Sequence, residues 1–351
     1  MATPEFWFVL VTVLFVGYFV LEGFDFGVGM LVPVLGRGAA PVSGRGASSE
    51  ITEKRRRVVL NTIGPVWDGN EVWLITAGGV LFAAFPEWYA TLFSGFYLPL
   101  LLILVALILR ICAIEYRGKI DDPVWRRRCD LGIGIGSWVP AVLWGVAFAN
   151  IVRGVAVDEN KKIVSGLLDL LNPYALLGGA TTALLFLFHG AVFVALKTSG
   201  DVHRDADALA RRLALPATAA TGTFALWTQL AHGKTWTWWL VGGAVAVLLA
   251  AVVAAHAGRE GWAFLGTTVT IAGAVVLLFA SLFPAVLPST LDPAWTLTVE
   301  NASSSEYTLR VMGWATVIVA PVVLGYQAWT YWVFRRRLSV ADIPDSIGLA
   351  R

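Results

Sequence analysis

The chain has 351 residues, of which 57% are apolar and only 14% are charged, and its mean hydropathy is +0.71. Soluble domains carry about 25% charged residues, so this composition excludes an ordinary soluble enzyme and indicates an integral membrane protein with no nucleic-acid partner. The net charge of +2 is uninformative, because the basic residues are segregated by loop.

The first apolar segment, 6–34, is predicted to be a transmembrane helix rather than a cleaved signal peptide. It follows no basic region, it is longer than the apolar part of a signal peptide, and acids interrupt it. The next segment, 35–57, is rich in Gly, Ala, Ser and Arg and is expected to form a mobile loop.

Eight further segments reach the roughly 20 apolar residues that a span requires. They are 58–83, 88–112, 130–151, 172–197, 212–231, 236–256, 262–286 and 308–334. The sequence therefore predicts an all-α integral membrane protein with nine transmembrane helices, arranged as two four-helix units and a peripheral ninth helix. The first unit would occupy 1–151 and the second unit 152–286. An outer loop with the ninth helix would follow at 287–337, and a loosely held cytoplasmic tail at 338–351.

The basic residues determine the predicted orientation. With the N-terminus outside and the C-terminus in the cytoplasm, the cytoplasmic side collects all but five of the 26 Lys and Arg residues, Arg110 among them. The five on the outer side would be Arg153, Lys161, Lys162, Lys234 and Arg310. The runs 55–57 and 126–128 are interpreted as topology determinants that neighbour anionic lipid head groups.

Four acids lie inside the first two predicted spans: Glu22, Asp25, Asp68 and Glu71. An acid at the bilayer centre costs roughly 2.5–3.5 kcal/mol, so we expect these acids to have a function. Residues three apart share a helix face, which pairs the acids within each helix. At about 1.5 Å per residue, both aspartates lie at matching depth, about 15 Å from the cytoplasmic end of their helices.

Acids, amides and water are the usual means of moving protons through a membrane protein, and a buried carboxyl group can exchange protons near neutral pH. Asn61 precedes Asp68 by one heptad, on the same face and nearer to the cytoplasm. The sequence thus predicts a cytoplasm-facing proton path of Asp68, Asp25, Glu71, Glu22 and Asn61. The alternative is that these acids only hydrogen-bond neighbouring helices or a partner subunit.

Small residues and a proline surround the acids. Glycines at 23, 27, 29 and 69 are predicted to allow close helix approach, as is the Gly134-x-Gly136 pair. Pro65 is predicted to loosen the second helix just before Asp68.

Histidine is too scarce for a haem in this chain alone. A transmembrane bis-His haem needs two facing histidines, and only His189 lies well inside a span. We expect His189 to make a polar contact with neighbouring groups. Cys112 and Cys129 flank a predicted cytoplasmic loop, where disulfides are rare, and are expected to be unpaired. We predict no catalytic residue, no metal ligand and no directly bound cofactor.

The membrane acids belong to two long motifs, Glu22-Gly-Phe-Asp25-Phe-Gly-Val-Gly-Met30 and Asn61-Thr-Ile-Gly-Pro-Val-Trp-Asp68-Gly-Asn-Glu-Val-Trp-Leu-Ile-Thr-Ala-Gly-Gly79. In these motifs the chain resembles subunit II of cytochrome bd-type quinol oxidases. Shorter matches occur at Phe93-Ser-Gly-Phe-Tyr97, Gly145-Val-Ala-Phe148 and Leu171-Asn-Pro173. The resemblance spans the chain and is densest in residues 17–97.

This resemblance implies a heterodimer with a haem-bearing subunit I in the bacterial cytoplasmic membrane. Subunit I would carry two haems b, one haem d and the quinol site, and the complex would reduce O2 to water with protons from the cytoplasm. Subunit II would contribute a proton path and support assembly and haem stability. Small accessory subunits, and a quinone or lipid bound to subunit II, occur in some members.

The resemblance also assigns roles to individual acids. Asp68 is the best match for the proton-path acid of the family, and Asp25 matches an acid important for the haem region. Glu22 occupies a position that is often acidic, whereas Glu71 occupies one that is often Gln.

Two other functions compete with a proton-conducting subunit. A purely structural partner would shield the haem subunit from lipid. A proton-coupled transporter would need polar cavity residues in both halves, and the second half offers little beyond His189 and Gln229.

Overall fold

The structure is a computed structural model that describes residues 3–37, 49–344 and 349–350, and these residues form a bundle of α-helices. The helices are α1 (Pro4–Arg37), α2 (Ser49–Asn61), α3 (Trp67–Ala84), α4 (Pro86–Gly95), α5 (Tyr97–Arg117), α6 (Pro123–Arg153), α7 (Pro173–Lys197), α8 (Gly200–His232), α9 (Trp238–His256), α10 (Glu260–Leu282) and α11 (Glu306–Val333).

Short 3₁₀ turns and strands connect the helices. The 3₁₀ turns are Leu167–Leu170, Thr235–Thr237, Pro293–Trp295 and Val340–Asp342. Strands β2 (Ala285–Leu287) and β3 (Leu297–Thr298) form an antiparallel pair, while β1 (Ile120–Asp121) pairs in parallel with β4 (Leu349–Ala350). Because β4 is at the end of the chain, this second pair brings the C-terminus to the α5–α6 turn.

Seven helical segments in the described part of the chain are long and apolar enough to cross a membrane. They are Pro4–Arg37, Tyr97–Arg117, Pro123–Arg153, Pro173–Lys197, Thr235–His256, Glu260–Leu282 and Glu306–Val333. The predicted spans 58–83 and 212–231 are helical in part or whole but are not among these seven. The chain is therefore an all-helical multi-pass membrane protein, and the nine-span count, the two units and the orientation stay predictions.

The second predicted span is wrong as one continuous helix. Helix α2 ends at Asn61, residues 62–66 form turns, and α3 begins at Trp67. Pro65 lies in this break and has no amide hydrogen to donate to a helical hydrogen bond. The break therefore agrees with the predicted loosening of the second helix at Pro65. The break places Asp68 in the first turn of α3.

Helix α1 is the centre of the bundle, since it packs against α2, α3, α6, α7 and α10. It crosses α7 where Gly27 meets Gly190, and a Cβ on Gly27 would lie 2.0 Å from the carbonyl oxygen of Phe186. Glycines 23, 29 and 136 are similarly enclosed, which confirms the predicted close helix approach at these positions. At Gly69 and Gly134 a Cβ would meet no described atom within 4 Å, so close approach at these two positions stays a prediction.

The segments outside the bundle also differ from expectation. Much of the predicted loop 35–57 is helical, because α1 extends to Arg37 and α2 begins at Ser49; its middle, 38–48, lies outside the described residues. The tail was expected to be loosely held, but up to residue 344 it is docked: the Leu338 amide donates to the Lys197 carbonyl at 2.9 Å, and Ile343 is 6% exposed. Cys112 and Cys129 are both unpaired, as predicted.

Candidate functional site

Arg110 is the centre of a buried cluster of acids. It lies on α5 with no exposed surface and forms an ion pair with Glu22 of α1. Its Nη1 is also 3.6 Å from Oε1 of Glu71 on α3, and its guanidinium stacks on the ring of Phe26. One cation thus connects carboxylates from two other helices.

The assignment of Arg110 to a cytoplasmic loop was wrong. It lies seven residues before Arg117, the last residue of α5, which is about 10 Å along the helix axis. Gly136 of α6 makes room for it, because a Cβ there would lie 2.4 Å from the Arg110 Cβ. A charge buried this deeply requires a partner, and the acids supply it.

Asp25 is held by a hydrogen-bond chain that reaches α11. Asp25 is fully buried, and Asn70 Nδ2 donates to its Oδ2 at 2.7 Å. Asn70 Oδ1 in turn accepts from the Tyr331 hydroxyl at 2.7 Å and from Gln327 Nε2 at 3.4 Å. Trp73 Nε1 donates to Gln327 Oε1 at 2.8 Å, so two residues of α3 are connected to the last helix.

The structure brings three of the predicted residues together and leaves two apart. Glu22, Asp25 and Glu71 surround Arg110 and Asn70, and only 14% of the Glu71 side chain is exposed. Asp68 and Asn61, in contrast, are exposed on the surface of this chain. The predicted common face of α3 therefore divides into an inward Glu71 and an outward Asp68, one helical turn apart.

Asn61 lines a polar crevice of about 750 Å³ between the α2–α3 break and α5. The crevice is lined by Arg57, Asn61, Trp67, Glu115, Lys119 and Pro344, among others. Trp67 immediately precedes Asp68, so the wall of the crevice leads directly to the first turn of α3. Negative side chains are stabilised at the N-terminus of a helix, which suits a carboxylate at this position.

Arginine–carboxylate pairs fix α2 beside the crevice. Arg117 Nη1 donates to Glu53 Oε1 at 2.7 Å, and its Nε donates to Asp130 Oδ1 at 2.6 Å, so α5 is connected to both α2 and α6. Arg56 also donates to Asp130, at 3.0 Å. The basic run 55–57 was interpreted only as a topology determinant. In the structure, its Arg56 also holds α2 against α6.

His189 makes the polar contacts predicted for it. Its Nδ1 lies 2.7 Å from Thr267 Oγ1, its Nε2 lies 3.2 Å from the Val20 carbonyl oxygen, and its ring stacks on Phe264. Both ring nitrogens of His189 therefore have polar partners within the chain. Within residues 3–37, 49–344 and 349–350, His, Cys, Asp and Glu form no group of three that could hold a metal ion.

Comparison with known proteins gives consistent matches over almost the whole chain. A family model described as cytochrome bd terminal oxidase subunit II matches residues 3–334. The chain is 41% identical over 341 residues to cytochrome bd ubiquinol oxidase subunit 2 of Bacillus subtilis (strain 168), covering 95% of this chain and 96% of that protein. It is 34% identical over 375 residues to cytochrome bd-I ubiquinol oxidase subunit 2 of Escherichia coli (strain K12), covering 96% and 95%.

The fold also matches a solved structure, that of bd oxidase from Geobacillus thermodenitrificans. The TM-score is 0.76 at 18% sequence identity, and the match covers 95% of this chain and 99% of the other. At this identity the likeness concerns the fold.

Proposed function

Because the chain belongs to the cytochrome bd terminal oxidase subunit II family and acts as part of a quinol:oxygen oxidoreductase complex, we propose that it supplies a cytoplasm-side proton path for O2 reduction. The path would begin in the polar crevice at Asn61, pass Asp68 and enter the buried cluster through Glu71. The haem-bearing subunit I would hold the two haems b, the haem d and the quinol site.

The proposal is carried by the position of Asp68 along α3, between Trp67 in the crevice wall and Glu71 in the buried cluster. Asn61 and Trp67 line the crevice, and Glu71 lies one turn beyond Asp68 on the same helix. One turn of α-helix is about 5 Å, a distance that two carboxyl groups and an intervening water can bridge.

The composition of the cluster supports a role in holding protons. Three carboxyl groups, Glu22, Asp25 and Glu71, face one guanidinium, that of Arg110. With all of them ionised, the cluster would carry a buried net negative charge, which is costly in a membrane interior. Protonation of two of the three carboxyl groups removes that charge.

Several buried polar atoms of the cluster make no hydrogen bond to another described residue. Among the described residues, Glu22 Oε2, Asp25 Oδ1, and Arg110 Nε and Nη2 are buried without a protein partner. Buried polar atoms of this kind are normally satisfied by water, and water is the usual link between acids in a proton path.

The exposed face of α3 suits contact with subunit I. Asp68 is exposed there, and a Cβ at Gly69, Gly78 or Gly79 would meet no described atom within 4 Å. A carboxyl group facing lipid is costly, whereas small residues on a helix allow a second helix to approach closely. We propose that subunit I covers this face, and that nine spans with the N-terminus outside place the crevice in the cytoplasm.

A separate apolar cleft of about 600 Å³ between α3, α4 and α5 is the place we assign to a bound quinone tail or lipid chain. Its lining includes Phe82, Trp88, Tyr89 and Phe93. The cleft is thus lined mainly by apolar and aromatic side chains, which suits an apolar chain.

The proposal is tested by Asp68→Asn in the assembled complex. The substitution keeps size and hydrogen bonding but removes the titratable proton, so we expect quinol-driven O2 consumption to fall at least tenfold, about 1.4 kcal/mol in barrier, with the haem spectrum intact. Glu87→Gln, which neutralises an exposed acid at the start of α4, is the control. Wild-type turnover in Asp68→Asn would contradict the proton path and favour a purely structural subunit.

A further inference from the structure

The side chain of Gln327 reaches from α11 to α3 in an orientation that its partners determine. Trp73 Nε1 donates to the Gln327 Oε1 at 2.8 Å. An indole nitrogen is a donor only, so the atom of Gln327 that faces it must be the oxygen. The amide nitrogen of Gln327 therefore faces the other way, where it donates to Asn70 Oδ1 at 3.4 Å and to the Gly69 carbonyl oxygen at 3.5 Å.

The same reasoning determines the orientation of the Asn70 side chain. The oxygen and nitrogen of an amide have nearly the same shape, so hydrogen-bond partners decide which atom faces which way. Gln327 presents a donor to one side of Asn70, and the Tyr331 hydroxyl lies 2.7 Å from the same atom. That atom must be Oδ1, which leaves Nδ2 to donate to Asp25 Oδ2 at 2.7 Å. Asn70 has no exposed surface, so bulk water offers no other partner.

The rest of α11 makes these two polar contacts stand out. Helix α11, all of which the structure describes, buries only Leu309 and Gly313 completely. Gln327 and Tyr331 lie one turn apart, are partly buried, and both donate to Asn70 Oδ1. Polar side chains in a transmembrane helix usually hydrogen-bond a neighbouring helix. Both side chains therefore have a common function at one amide of α3.

The orientation of Asn70 determines where Asp25 can carry a proton. Oδ2 of Asp25 accepts from Asn70, so a proton on Oδ2 would meet the amide hydrogens of Asn70. Oδ1 of Asp25 is buried and makes no hydrogen bond to another described residue. Glu22 already forms an ion pair with Arg110. The cluster therefore loses its net charge when Asp25 and Glu71 are protonated.

We propose that Gln327 and Tyr331 of α11 are positioning residues that hold the Asn70 amide in one orientation and thereby confine the proton of Asp25 to Oδ1. Without them the amide can turn over, because an acid hydroxyl at Oδ2 then donates to Asn70 Oδ1. The proton would be held between two side chains instead of on a free oxygen. A proton on Asp25 rests on the proposed role of the cluster, whereas the orientation of Asn70 does not depend on Asp68.

The infrared C=O stretching band of protonated Asp25 reports this orientation. In the assembled complex it is the carboxylic acid band that is lost in Asp25→Asn and moved in Asp25→Glu. With the proton on Oδ1, the carbonyl oxygen is Oδ2, and the hydrogen bond that it accepts from Asn70 lowers the stretching frequency. With the amide turned over, Oδ1 becomes the carbonyl oxygen and accepts no such bond, so the band moves to higher frequency.

We expect Gln327→Leu to broaden the band toward higher frequency, and Gln327→Leu with Tyr331→Phe to shift it completely. Tyr331→Phe alone should have the smaller effect, since Gln327 still donates to Asn70. The control is Thr330→Val, which removes a hydroxyl of α11 that donates only to the Tyr326 carbonyl oxygen of its own helix at 3.1 Å. Its band should match that of the wild type.

An unchanged band in Gln327→Leu and in the double variant would overturn the proposal, as would an equal shift in Thr330→Val. A complex without a protonated Asp25 band at any pH at which it stays intact would overturn it too. Should the double variant fail to assemble, an unchanged band in Gln327→Leu alone has the same meaning. Asp68→Asn should leave the band in place, so the orientation of Asn70 and the role of Asp68 can fail independently.

Discussion

The side chain that matters most for the stability of the acid cluster is Arg110. It pairs with Glu22 and approaches Glu71, and neither its charge nor that of Glu22 has any exposed surface. Removing one partner of a buried ion pair typically costs about 3–5 kcal/mol, because the other charge is left unpaired. Arg110 therefore stabilises the cluster, and we expect it to affect assembly, a role that the family resemblance implies for this subunit.

We predict that Arg110→Leu lowers the thermal stability and haem content of the purified complex, by an amount on the order of 3 kcal/mol. Arg110→Lys should be intermediate, since it keeps the charge but loses the planar fork. The double variant Arg110→Leu with Glu22→Leu should recover part of the loss, because no unpaired charge remains. Thermal unfolding and the haem absorption spectrum measure these effects, and a single variant as stable as wild type would show that the pair is unimportant.

At this scale the sequence predicted the acids better than their partners. Glu22, Asp25 and Glu71 stand out because acids are rare in apolar segments. Arg110 could have been found by the same reasoning, because it lies inside the predicted span 88–112. It was instead counted among the cytoplasmic basic residues, so its role as a buried partner of the acids was missed. Gln327 and Tyr331 carry no such signal, since their contacts with Asn70 join positions far apart in the sequence.

At the scale of helices, the α1–α7 crossing and the α2–α3 break position the site. The crossing at Gly27 and Gly190 brings two backbones together at the centre of the bundle. The break at residues 62–66 ends α2 beside the crevice and starts α3 one residue before Asp68. Glycine and proline in an apolar segment are local signals, so close approach at Gly27 and a weakened helix at Pro65 could be predicted, but the partner helix α7 and the complete break could not. The docking of the tail could not, because it depends on distant backbone groups.

The crossing gives a prediction with an internal control. A Cβ on Gly190 would lie 2.6 Å from the backbone of Gly27, whereas one on Gly243 of α9 would meet nothing within 4 Å. Gly190→Ala should therefore destabilise the complex by about 1–3 kcal/mol through overpacking, and Gly243→Ala should not. Thermal unfolding of the two variants decides the matter, and equal stability would contradict the close crossing.

At the scale of the whole molecule, the buried acids and their arginine lie within α1, α3 and α5. Helices α9 and α11 are mostly exposed and apolar, as expected for surfaces that face lipid or another subunit. The family match shows that the chain acts as part of a quinol:oxygen oxidoreductase complex. The contribution that we propose for this chain is to deliver protons to that complex.

That contribution is tested most directly by proton uptake during O2 reduction. The quinol-reduced complex is reconstituted in liposomes with a pH indicator on the side that corresponds to the cytoplasm, and O2 is added to start the reaction. The account predicts that Asp68→Asn slows proton uptake from that side to the same extent as it slows turnover, while Glu87→Gln behaves as wild type. Proton uptake at the wild-type rate in Asp68→Asn would contradict it.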